Sequence, residues 1–162
     1  MAEDLHIISG TKTQGYQSIL PQLEALLACE TDLVANLANV AAALKEQFGW
    51  LWIGFYLVKE KELVLGPFQG PVACTRIRPG RGVCGTAWQQ GATLIVPDVA
   101  KFAGHIACSS LSRSEIVVPI LRDGIVVGVL DADSELEDHF DETDKHYLEQ
   151  IIKLLTFPNS LP

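Results

Sequence analysis

Apolar positions along the chain first follow a helical period. Leu33, Leu37, Val40, Leu44 and Phe48 recur at the spacing of one helix face, which predicts an amphipathic helix. Thr31 or Asp32 supplies the oxygen that caps its start, and Gly49 stands where a left-handed C-terminal cap belongs. A mixed helix precedes it over residues 16–28, with an interruption expected at Pro21. Beyond Gly49 the period changes to two. Leu51, Ile53, Phe55 and Leu57 share one strand face, and Trp52, Gly54 and Tyr56 share the other.

The charged turn Lys59-Glu60-Lys61 returns the chain into Leu63-Val64-Leu65, and a third strand is expected over 72–77. A Gly-rich corner then leads into a short helix over 86–90, followed by a brief strand over 94–96. Residues 97–114 carry no strong period, and a connection of that length inside a domain is usually functional or disordered. The runs 116–121 and 125–130 are joined by Asp123-Gly124, a strong hairpin signal. Asp141 caps a last helix in which Leu148, Ile151 and Leu155 face inward. The pattern predicts an α+β fold with an antiparallel sheet of about five or six strands flanked by helices, the helices gathered on one side. With no repeat or linker visible, residues 1–162 are expected to form a single domain with its core over 16–155.

Composition narrows the class. Hydrophobic residues make up 48% of the 162 positions and charged residues 20%, enough for an ordinary core. The net charge of −8 and the absence of a basic stripe argue against nucleic acid as a partner. No apolar run is long enough for a membrane span and no secretory leader is evident, so a cytoplasmic setting is expected. There, the four cysteines Cys29, Cys74, Cys84 and Cys108 read more naturally as redox or catalytic groups than as structural bridges.

Gly80-Arg81-Gly82-Val83-Cys84-Gly85 satisfies G-x-G-x-x-G, but the helix after it is too short for a crossover and the hairpin implies antiparallel pairing. A dinucleotide site is therefore not expected. Cys74, Cys84 and Cys108 lack the paired close spacings of a zinc site, for which His105 would be the nearby fourth ligand; no metal is expected. Cys29, at the end of an apolar helix, reads as a core filler. Cys108 lies in the polar loop between His105 and Ser109-Ser110, where exposure favours a reactive thiolate. Asp131 and Asp133 end an apolar strand on one face, and the hairpin brings Glu115 to the same end of the sheet. These acids suit a cationic group or a proton source. Trp52 and Tyr56 suit either an aromatic wall or ordinary packing.

As an ordered set, the segments 52–57, 65–70, 78–87, 104–108, 114–119 and 128–134 resemble the free methionine-(R)-sulfoxide reductases, which are stand-alone GAF-type domains. The resemblance extends over 16–155, and Gly104-His105-Ile106-Ala107-Cys108 followed by Ser114-Glu115-Ile116-Val117 is its most specific part. It implies Cys108 as nucleophile, Cys74 as resolving cysteine and Cys84 as a secondary partner. It also implies Glu115, Asp131 and Asp133 as pocket acids, with Trp52 and Tyr56 as the aromatic wall. Ser109, Leu111 and Arg113 depart from the family pattern.

The implied reaction reduces free L-methionine (R)-sulfoxide to methionine through a Cys108 sulfenic acid. An intramolecular disulfide follows, which thioredoxin reduces, itself recycled by an NADPH-dependent thioredoxin reductase. No bound cofactor is implied, and the resemblance suggests a homodimer. The alternative is a GAF sensor of a small ligand or of redox state, without catalysis.

Overall fold

Where the hydrophobic period switches from helical to alternating, the backbone switches from helix to strand. The structure, a computed structural model, describes residues 4–106 and 109–157. Its elements run α1 (Lys12–Leu27), α2 (Leu33–Phe48), β1 (Trp52–Lys59), β2 (Glu62–Gln69) and β3 (Arg76–Ile77). They continue through α3 (Gly82–Gln90), β4 (Leu94–Val96), β5 (Ser114–Arg122), β6 (Ile125–Ser134) and α4 (Glu142–Lys153). The six strands form one sheet in the order β3-β2-β1-β6-β5-β4, with every neighbouring pair antiparallel. No described helix is long and apolar enough to cross a membrane.

Local chemistry sets the helix ends. The Thr11 side chain accepts the Gln14 backbone N–H, and Gln14 reaches back to the Thr11 N–H at 2.9 Å, closing a capping box on α1. Of the two oxygens considered for α2, Asp32 takes the role, accepting from Ala35 N at 2.9 Å, and Gly49 closes the helix at φ 66°. Asp141 caps α4 by accepting from Thr143 and Asp144. Pro21 does not interrupt α1, which starts earlier than expected and runs through it. An interior proline costs about 3 kcal/mol, but Tyr16, Ile19, Leu23 and Leu27 are buried on one stripe of this helix. Burying such side chains gains about 1.5–3 kcal/mol each and outweighs the loss.

The pleat divides the interior into two clusters. Ile53, Phe55 and Leu57 of β1, Ile116, Val118 and Ile120 of β5, and Leu130 and Ala132 of β6 pack against α1, α2 and α4. On the opposite face, Trp52, Tyr56, Val117 and Val129 pack against Val83, Cys84 and Ala87 of α3. Helices therefore lie on both faces, not on one, because residues on the second face are also apolar and need cover.

Two further boundaries differ from expectation. α3 begins at Gly82 rather than near Thr86, since burial of Val83 and Cys84 overrides the weak helix propensity of the glycines. Gly85 is needed for closeness: a Cβ there would lie 2.4 Å from the Arg78 carbonyl oxygen. β3 is confined to Arg76–Ile77, paired to Val64 and Leu63. Cys74 consequently sits in the irregular segment before β3 and not within a strand.

Candidate active site

Antiparallel register places side chains in rows across the sheet. Trp52 on β1 opposes Asp133 on β6, which opposes Glu115 on β5; in the next row Gly54 opposes Asp131, which opposes Val117. All of these share the α3 face. The β5–β6 hairpin turns through Asp123 and Gly124, both at positive φ (49° and 77°), and a register shift between Ile120 and Leu121 then brings Glu115 opposite Asp133. Gly54 keeps the second row open, because a Cβ there would meet the Trp52 ring at 2.5 Å and Phe68 Cβ at 2.4 Å.

These rows floor a cavity whose lining includes Trp52, Tyr56, Cys84, Glu115, Asp131 and Asp133, together with the 71–73 segment, Arg81, His105, Ile106, Ser109 and Ser112. Trp52 stacks on Phe68 with ring centroids 5.4 Å apart, and its indole N–H donates to Pro71 O at 3.1 Å. The Tyr56 hydroxyl donates to the carbonyl oxygen of Cys74 at 3.0 Å. The aromatic side chains thus brace the segment that carries Cys74.

The floor is acidic and dry. Glu115 and Asp131 are buried at 6% and 7% exposure, and Asp131 Oδ1 has no hydrogen-bond partner. The Cys84 thiol lies 3.9 Å from Glu115 Oε1, and Ser112 Oγ donates to Asp133 Oδ1. Burial raises the pKa of Glu115, and the neighbouring charges of Asp131 and Asp133 raise it further. Burial and the Asp133 charge likewise push Asp131 upward. Burial also carries Asp133 to about 6, against the opposing hydrogen bond from Ser112.

Burial and the flanking acids hold Cys84 as a neutral thiol, and burial with the Asp131 charge keeps the Tyr56 phenol protonated. His105 Nε2 stands 3.9 Å from Glu115 Oε2. Burial lowers its pKa, so this contact is not an ion pair at neutral pH. The floor can hold protons, and among the described residues no lysine or arginine forms an ion pair with Glu115, Asp131 or Asp133.

Of the cysteines, Cys74 is disulfide-bonded, whereas Cys84 is a buried free thiol and Cys29 an exposed one. Cys29 is therefore not the core filler expected of it, because it falls in the turn after α1 where the apolar stripe has ended. Cys108 lies outside the described residues. The structure brings together Trp52, Tyr56, Cys84, Glu115, Asp131 and Asp133 around one cavity. Sequence reasoning missed Ser112, whose contact to Asp133 spans 21 positions and carries no periodic signal, and the lining role of Arg81 and Ile106.

A protein-family model for the GAF domain matches residues 30–157. The chain is 66% identical over 156 residues to GAF domain-containing protein A of Dictyostelium discoideum, covering 96% of this chain and 99% of that protein. It is 45% identical over 145 residues to the free methionine-R-sulfoxide reductase of Escherichia coli (strain K12), covering 89% and 88%. Among solved structures it is similar to the free methionine-R-sulfoxide reductase of Neisseria meningitidis in complex with its substrate. That match has a TM-score of 0.92 and 60% identity, covering 94% of this chain and 92% of that one.

Proposed function

Because the chain belongs to the free methionine-R-sulfoxide reductases, oxidoreductases of the GAF fold, we propose that it reduces free L-methionine (R)-sulfoxide in the cavity over β1, β5 and β6. The observation that carries this reading is the unpartnered Asp131 Oδ1 in a buried acidic floor. An ammonium group satisfies that oxygen and lets a floor carboxylate ionise, since a buried charge is stable only when paired. A peptide-bound methionine has no ammonium there and leaves the orphaned oxygen unmet. Trp52 and Tyr56 wall the side of the cavity and exclude water.

The chemistry assigned to the residues balances as follows. The Cys108 thiolate attacks the sulfoxide sulfur while a floor acid protonates the oxygen, and Glu115, held protonated by burial and its acidic neighbours, suits that role. The oxygen then passes to Cys108: the substrate S–O bond and the transient Sγ–S bond break, an Sγ–O bond forms, and methionine leaves with the two electrons that Cys108 has lost in becoming a sulfenic acid. The Cys74 thiol then displaces that oxygen as water to form a disulfide, which a dithiol of the thioredoxin class reduces. Support for Cys74 over Cys84 as the resolving thiol comes from their states. Cys74 is engaged in a disulfide, while Cys84 is a buried free thiol held neutral by burial and the adjacent acids, and a neutral thiol is a poor nucleophile.

The test is NADPH consumption with thioredoxin and thioredoxin reductase on free methionine (R)-sulfoxide, the S epimer and a peptide-bound sulfoxide. Turnover of the free R epimer alone is expected, lost on Cys108→Ser. Absence of turnover in the unmodified chain, or unchanged activity in that variant, overturns the reading.

A further inference from the structure

The floor of the cavity also contains a donor set in which Cys84, used in no step above, joins two of the site's acids. Cys84 Sγ and one carboxylate oxygen each of Glu115 and Asp131 all lie within 4.8 Å of one another, and all three residues are buried. The Sγ to Glu115 Oε1 distance is 3.9 Å. In a tetrahedral zinc site with Zn–S of about 2.3 Å and Zn–O of about 2.1 Å, sulfur and oxygen stand about 3.6 Å apart. A contraction of a few tenths of an ångström therefore brings this pair to ligating distance.

A second observation points to a cation independently. Asp131 Oδ1, in a residue only 7% exposed, has no hydrogen-bond partner, and the groups beside this side chain are the Cys84 thiol and the Glu115 carboxyl of the same set. Among the described residues, the basic group in ion-pair distance of Glu115 is His105, at 3.9 Å, and its neutral imidazole is itself a ligand of the type zinc accepts. Gathered thiol, carboxylate and imidazole donors select a borderline-soft divalent ion over magnesium or calcium, which take oxygen alone. This set differs from the three cysteines whose spacing argued against zinc.

We propose that the cavity floor is a binding site for a thiophilic divalent cation of the zinc type, held by Cys84, Glu115 and Asp131 with His105 at its edge. Binding exchanges the protons of the thiol and the carboxyl groups for the metal and releases them to solvent, with no change of oxidation state. The site stands on geometry alone. Its consequence, that cation and substrate ammonium exclude each other, rests on the proposed function. Such an ion closes the floor to the amino acid and makes the protein an inhibited form while the ion is bound.

Cobalt(II) titrated into the disulfide form of a Cys29→Ser protein tests this, because Cys84 is then the free thiol that remains among the described cysteines. One cobalt per chain with a near-ultraviolet thiolate-to-metal band is expected, and zinc should displace it. No band, or a band that survives Cys84→Ser, overturns the site. Should Cys84→Ser fail to fold, Asp131→Asn decides: cobalt affinity at least tenfold weaker is expected, and unchanged affinity overturns the proposal. Adding free methionine (R)-sulfoxide should bleach the band. A band that persists overturns the placement of the substrate and leaves the cation site standing.

Discussion

The two faces of the sheet are made by the same strands and behave as different materials. On one face, Phe55, Val118 and Leu130 are fully buried against α1, α2 and α4 in a cluster of apolar side chains, and the buried Asp144 behind them is paired with Tyr16 and Lys12. On the other, shifted by a single residue along each strand, the row of Trp52, Asp133 and Glu115 opens into a cavity with an unpartnered carboxylate oxygen. The first face gains stability by close packing. The second holds like charges together in a dry place, which opposes folding and makes sense only for binding or catalysis. Stability and chemistry are thus separated by strand parity rather than by distance in the chain.

Substitutions on each face can break or sharpen that division. The largest effect is expected from Phe55→Ala, which should cost about 3–5 kcal/mol in denaturant unfolding. Activity per folded molecule should stay within about twofold. A variant that kept its stability would show that the face packed on α1, α2 and α4 is not the main source of it. Next comes Asp131→Asn. Here kcat/KM should fall about a hundredfold, worth about 2.7 kcal/mol, while thermal stability holds or rises because a crowded buried charge is gone. A clear loss of stability would instead make Asp131 part of the packing.

The smallest effect is a pH signature. The Asp133 carboxyl, raised from 3.8 to about 6 by burial, keeps a proton in the folded state that the unfolded chain has already released. Its contribution to stability is therefore complete below about pH 4 and is lost as pH rises through about 6. The difference in melting temperature between the parent and Asp133→Asn should change across that window in this direction. A flat difference would mean that Asp133 is not held in a dry floor.

Much of this was readable before the structure, and the reasons are physical. Alternation in β1 put Trp52 and Tyr56 on one side, and the Asp123-Gly124 turn brought Glu115 to the same end of the sheet as Asp131 and Asp133. The register shift between Ile120 and Leu121 that sets Glu115 opposite Asp133 carried no signal in the sequence. What was unreadable lies where no period operates. Residues 72–75 look like strand, but the regular pairing with β2 begins only at Arg76, preceded by the Thr75 carbonyl, which accepts from Leu65 N at 3.0 Å. Their place is the cavity wall, and propensity does not report it.

The start of α3 was hidden by its glycines: Gly85 is there for close approach to the Arg78 carbonyl, and Gly82 for a backbone at φ 62°. Ser112 and His105 reach the acids from an irregular connection, where side-chain direction follows from tertiary contacts alone. Nothing in spacing singled out Cys74 over Cys84; the family resemblance did.

The pairing of β1 with β6 runs without a break from Trp52 opposite Asp133 to Leu57 opposite Gly128. The irregularities of the sheet fall elsewhere, between Gly54 and Tyr56 on the β2 side and between Ile120 and Leu121 near the hairpin end. In evolutionary terms, the domain has an asymmetric mutational neighbourhood. Exchanging one side chain for another on the cavity face retunes recognition and leaves the opposite face untouched. Deleting one residue inside β6 rotates every later side chain through the sheet, burying Asp131 and Asp133 among leucines and emptying the cavity of its acids at a stroke. Lineages carrying this scaffold can therefore diversify their ligands by substitution, while changes of length are confined to the outer strand and the hairpin tip.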